Sequence, residues 1–148
     1  MAQPGNPRPR FARTRKISNG ELHMAADKLR QFEDQKYLNI ESFRKDGRSV
    51  ITPVWFAQSG GRFYVYSEAG AGKVKRIRNN PKVRVAPCDF RGKVTGEWVD
   101  ASAKLETGDA EEQAERLLTQ KYGWMKRIGD FFARLRKRRH AIISIGLE

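Results

Sequence analysis

Two tight-turn signals, Lys45-Asp46-Gly47-Arg48 and Ser59-Gly60-Gly61, set the strongest limit on what this chain can fold into. Asp-Gly supplies the positive φ angles of a two-residue hairpin turn. Between the turns, Ser49 to Gln58 is rich in β-branched and aromatic residues. Before them, from Lys36 to Arg44, Leu38 and Ile40 alternate with Asn39 and Glu41; after them comes the short aromatic run Phe63-Tyr64-Val65-Tyr66-Ser67. Strand-like segments bounded by such turns predict three consecutive antiparallel strands.

The remaining elements follow from periodicity. From Glu21 to Phe32, Leu22, Ala25, Ala26, Leu29 and Phe32 recur at helical spacing. After the third strand, Glu68 to Gly72 becomes rich in glycine and alanine. Lys73 opens a short helix that ends at Asn79-Asn80-Pro81, where proline stops it. Val83 and Val85 mark a fourth strand to about Asp89, and a loop around Arg91-Gly92 leads to a fifth from about Glu97 to Leu105. Gly108-Asp109 precedes a helix from Ala110 to Lys121 with Ala114, Leu117 and Leu118 on one face. A second helix is expected from Trp124 to Lys137, with Ile128, Phe131, Phe132 and Leu135 inward, and Ala141 to Ile145 is the sixth strand. The sum is a mainly β fold with flanking helices, a small six-stranded antiparallel barrel. Closing the barrel would remove strand edges that invite aggregation.

A length of 148 residues suits one core, here residues 21–148 behind a flexible basic tail at 1–20 that carries Arg8, Arg10, Arg13, Arg15 and Lys16. The formal net charge of +13 must lie on the surface and predicts attraction to anions: nucleic acid, acidic lipid or a phosphorylated small molecule. One cysteine, Cys88, rules out an internal disulfide and fits a reducing compartment. No apolar run approaches membrane-spanning length, and the tail lacks the apolar stretch of a secretory signal, so a cytoplasmic protein is expected.

The ordered set Arg44-Lys45-Asp46-Gly47, Thr52-Pro53-Val54-Trp55-Phe56, Tyr64-Val65-Tyr66-Ser67 and Gly72-Lys73-Val74-Lys75-Arg76-Ile77-Arg78-Asn79-Asn80-Pro81 resembles the pyridoxamine 5'-phosphate oxidase-like split-barrel superfamily, whose fold is FMN-binding-protein-like. Within it, Val85-Ala86-Pro87-Cys88-Asp89 and Lys121-Tyr122-Gly123 are similar to the deazaflavin-dependent reductases, which use coenzyme F420. The resemblance covers roughly residues 36 to 147. It implies a homodimer with two cofactor sites at the subunit interface. Thr52, Pro53, Val54 and Trp55 would flank the ring; Ser67 and Lys73 would hold the phosphate, with Lys75 and Arg76 as supporting cations. The family often has a basic residue just before the lysine, where this chain has Ala71 and Gly72.

Elementary chemistry agrees with the phosphate assignment. A glycine-rich loop entering a helix offers unpaired N–H groups and the positive end of the dipole to an anion. Lys73 at that end is unfavourable for the helix itself, and a bound phosphate would account for it. A nucleotide P-loop is excluded, because the motif needs Gly where Ser67 stands and Ser or Thr where Val74 stands. Pro53 cannot donate to a ladder, so it marks an edge, a bulge or a ligand's approach, and Trp55 flanks the ring or packs in the core.

Other chemistry is thin. His23 and His140 are far apart without cysteine partners, so no metal site is expected. Asp109, Glu111, Glu112 and Glu115 suit a helix start. No catalytic side chain is evident, which fits hydride chemistry performed by the cofactor. The basic stretch Lys121 to Arg139 is expected to pack its apolar stripe on the barrel; its cations would also suit a deazaflavin's polyglutamate tail. The expected function is an oxidoreductase moving a hydride between a deazaflavin and a small organic substrate. FMN is the alternative cofactor, a non-catalytic flavin or deazaflavin carrier the alternative role, and nucleic-acid binding through the basic tail and the second C-terminal helix lacks the aromatic sheet motif of common RNA binders.

Overall fold

The computed structural model describes residues 18–123, 125, 129–131, 133, 134 and 139–148. In chain order the elements are α1 (Asn19–Arg30), β1 (Tyr37–Phe43), β2 (Ser49–Trp55), β3 (Ala57–Ser59), β4 (Arg62–Glu68), α2 (Gly72–Asn79), β5 (Lys82–Cys88), β6 (Val99–Glu106), α3 (Asp109–Tyr122) and β7 (His140–Leu147). Helix α1 already begins at Asn19, inside the stretch expected to be tail; residues 1–17 lie outside the described residues. Of the helix expected over Trp124 to Lys137, residues 129–131, 133 and 134 are helical, whereas Ile128, Phe132 and Leu135 lie outside the described residues.

The strands form one antiparallel sheet in the order β2-β1-β5-β6-β7-β4-β3. The hairpins form at the predicted turns, with Gly47 at φ 88°, Gly60 at φ 59° and Gly61 at φ 76°. The expected count of six strands becomes seven, because the single long strand expected over Ser49 to Gln58 is divided at Phe56. Before Phe56 it pairs with β1 (Tyr37 opposite Trp55), and after it with β4 (Ala57 opposite Tyr64). The sheet's two edge strands are thus consecutive in the chain, and the ladder between them is open.

Tyr122 and Lys121, at the end of α3, account for the break. The Phe56 N–H donates to the Tyr122 hydroxyl at 3.2 Å, and that hydroxyl's proton is shared between the carbonyls of Phe56 (2.5 Å) and Lys36 (2.7 Å). The Lys121 ammonium donates to the carbonyls of Phe56 (2.8 Å) and Gln35 (2.7 Å). Side chains thereby satisfy backbone groups that leave the ladder, as burial requires.

Alternation along each strand sorts the side chains onto two faces. The inner face, with Leu38, Ile40, Phe56, Phe63, Val65, Val83, Val85, Ala101, Ala103, Ile143 and Ile145, makes the main core, joined by Phe32 from beyond α1 and by Val74 and Ile77 from α2. Each fully buried aromatic or large aliphatic side chain stabilises the fold by roughly 1.5–3 kcal/mol. A second cluster forms on the outer face of β3, β4 and β7, where Ala114, Leu118 and Tyr122 of α3 cover Ala57, Tyr66 and Ile142.

Candidate functional site

Helix α2 starts without a cap. Ala71 precedes it in an extended conformation, no side chain bonds to its first turn, and that turn holds no acid. The Val74 and Lys75 N–H groups donate to the Ala71 carbonyl (3.1 and 3.3 Å). Those of Gly72 and Lys73 have no acceptor among the described residues.

Two cations gather there. Lys73 is half-buried, and its ammonium makes no hydrogen bond or ion pair among the described residues. Burial, with the Arg76 guanidinium beside it, holds its pKa below the usual lysine range, and the Glu68 carboxylate partly offsets this. Arg76 reaches back across the helix start: a Cβ at Gly72 would stand 2.8 Å from its Nη1. Its Nε donates to the Ser42 hydroxyl at 2.6 Å, at the end of β1. Burial, and then repulsion from Arg44, lower its pKa as well. Sequence reasoning quoted Arg44 only within the first hairpin motif and did not single out Ser42, because only the β1–α2 packing brings them to Arg76.

The other expected residues divide. Ser67 sits on the inner face of β4 at 2% exposure, its hydroxyl donating to the Glu68 carbonyl at 3.2 Å. Lys75 lies exposed on α2, away from the buried Val74 and Ile77. In β2, Thr52 and Val54 face inward opposite Ile40 and Leu38, while Pro53 and Trp55 face outward opposite Asn39 and Tyr37. Trp55 packs edge-on against Phe131, with ring centroids 4.9 Å apart, beside the second cluster.

Outside β2, the loop after β5 folds over Pro53. Gly92, at φ 85°, packs against this strand: a Cβ there would lie in contact, 3.5 Å from both Pro53 Cγ and Asn39 Oδ1. Asn39, 1% exposed, donates from Nδ2 to the Gly92 carbonyl at 2.7 Å, and its Oδ1 has no partner. Ile51, Phe90 and Val94 are the exposed large hydrophobics among the described residues, at 49%, 67% and 36%. A groove of about 310 Å³, lined by Phe43, Arg44, Lys45, Asn79 and Asn80, opens at the far end of α2.

A further group was not anticipated. Glu111 and Glu115, expected to serve only the start of α3, meet His140 at the first position of β7. Their spacing, one helical turn apart, was the available sequence signal. The histidine's arrival depends on the sheet.

A family model described as pyridoxamine 5'-phosphate oxidase matches residues 25–144. No curated protein matches the chain. Among solved structures, the chain is similar to the heme storage protein HutZ from Vibrio cholerae, at 18% identity and a TM-score of 0.60, with 86% of this chain and 90% of that one covered. It is also similar to a FAD-binding protein from Mesorhizobium loti (19% identity, TM-score 0.57, 84% and 89% covered). An F420-H2 dependent reductase aligns at 16% identity and a TM-score of 0.56, covering 74% of this chain and 93% of that one. At these identities the likeness is one of fold. No helix among the described residues is long and apolar enough to cross a membrane.

Proposed function

The chain belongs to the pyridoxamine 5'-phosphate oxidase family, and from that membership we propose that it is an oxidoreductase that binds a phosphorylated flavin-type cofactor at the start of α2. The observation that carries this reading is the uncapped helix end, with Gly72 and Lys73 N–H groups and a Lys73 ammonium that have no partner among the described residues, and the Arg76 guanidinium laid over Gly72. Such a set suits a phosphate: fixed N–H donors, the dipole's positive end and two cations on one side. Arg76, one turn beyond Gly72, supplies the second positive charge that the positions before Lys73 lack.

In this reading Lys73 and Arg76 hold the phosphate, and Ser67 fixes the bend from β4 into the loop. Thr52 to Trp55 border the ring, with Lys75 as an outer cation. When bound, a reduced deazaflavin supplies a hydride, two electrons with one proton, to a small organic acceptor. Coenzyme F420 is the proposed cofactor, on the motifs at Val85–Asp89 and Lys121–Gly123, with FMN as the alternative. We read the sheet as a split barrel whose kinked strand at Phe56 joins the two edges. The exposed large hydrophobics Ile51, Phe90 and Val94 support a homodimer through apolar surface.

Incubation of purified protein with F420, FMN or FAD, followed by desalting and an absorbance spectrum, tests the reading. Retention of the F420 spectrum supports it, retention of FMN alone reverses the choice of cofactor, and retention of none overturns it. A broad acceptor screen with reduced cofactor then separates an enzyme from a carrier.

A further inference from the structure

On the outer face of the sheet, away from α2, one imidazole nitrogen meets two carboxylates. His140 Nε2 lies 3.0 Å from Glu111 Oε1 and 2.7 Å from Glu115 Oε1. All three potential donor atoms fall within 4.8 Å of one another, and each residue is half-buried. The Tyr66 hydroxyl donates to the same Glu115 oxygen at 3.2 Å, and the Tyr66 ring stacks on the imidazole with centroids 4.9 Å apart. Among the described residues, neither carboxylate pairs with a lysine or arginine, although the chain carries a formal net charge of +13.

This grouping is unbalanced as it stands. Glu111 and Glu115 face the same side of α3, where like charges at this spacing repel. One imidazole offers a single N–H at Nε2 and at most one positive charge, so it cannot neutralise both carboxylates. A divalent ion would balance the charge and satisfy all three groups. The spacing suits one: ligand atoms adjacent in an octahedral sphere of ~2.1 Å bonds lie about 3 Å apart. A mixed imidazole and carboxylate set suits the later first-row divalent ions, zinc and cobalt among them.

We propose that Glu111, Glu115 and His140 form a divalent transition-metal site that clamps α3 to β7. Water fills the remaining positions, and Tyr66 orients Glu115 from behind, the supporting role that outer-shell hydrogen bonds play at metal sites. His140 pairs with Glu68 in the β4–β7 ladder, and the Ala69 N–H donates to the Arg139 carbonyl at 3.0 Å, so an ion there would brace the strand leading to α2.

The test uses the full chain without a histidine tag, stripped with chelator, and requires no flavin. Zn²⁺ is titrated in competition with a chromophoric chelator, and Co²⁺ is followed by its visible absorption. The expected result is one equivalent per chain, a raised melting temperature, and binding weakened at least ~tenfold in His140→Gln and Glu115→Gln and about tenfold in Tyr66→Phe. His23→Gln, which alters the sequence's other histidine, should bind as the wild type does. Should His140→Gln fail to fold, Glu115→Gln carries the comparison. Absence of Zn²⁺ binding by the wild type, or equal affinity in the wild type and both ligand variants, overturns the proposal.

Discussion

The guanidinium of Arg76 lies across Gly72, so near that a Cβ at position 72 would stand 2.8 Å from Nη1. The glycine therefore leaves the helix end open and lets a side chain from the next turn supply charge there. Gly72→Ala would push the flexible tip of Arg76 aside while sparing the backbone. It is expected to weaken cofactor retention without a large loss of stability.

Lys73→Ala removes an ammonium that, like the Gly72 and Lys73 N–H groups beside it, has no partner among the described residues. The loss of a charge-assisted contact of about 2 kcal/mol corresponds to roughly thirtyfold in Kd. Lys45→Ala, in the exposed first hairpin, should change Kd by less than about twofold. Titration of each variant with F420 and FMN, followed by fluorescence, checks the contrast; equal effects would mean that only general charge matters.

Tyr122→Phe deletes the hydroxyl that serves both backbone groups of Phe56. It leaves buried polar groups unpaired, so urea unfolding should show a loss of about 1–3 kcal/mol. Unchanged stability would detach the strand break from α3.

Burial pushes Lys121 down to about 8 from an unfolded value of 10.5, with Asp34 partly opposing the shift. Between these values the unfolded chain holds a proton that the folded chain has released. Stability from this group therefore rises with pH across that window and is flat below it. Denaturation midpoints of wild type and Lys121→Met should accordingly shift in the wild type's favour from about pH 7 to about pH 9.5. A difference independent of pH would contradict the lowered pKa.

Cys88 is 3% exposed, and burial, aided by the Asp89 charge, raises its thiol pKa to about 11. The native protein should resist an aromatic disulfide reagent at neutral pH and react fully once unfolded. Fast labelling of the folded chain would show that the strand end opens.

The sequence by itself determined the order of the strands along the chain, the hairpins and the inward face of α3 at Ala114 and Leu118. These depend on local rules: Gly47, Gly60 and Gly61 take positive φ, Pro81 ends α2, and alternation sets which side chains of β1 and β2 turn inward. It also marked Lys73 at a glycine-rich helix start. The tertiary structure decided the rest. Phe56 leaves the ladder only because Tyr122, 66 positions away, supplies its hydrogen bonds. Arg76 reaches Ser42 across 34 positions, and His140 reaches Glu115 only when β7 lies beside β4 under α3. Such contacts join side chains far apart in the chain, and no local period records them; packing of the sheet and its helices brings them together.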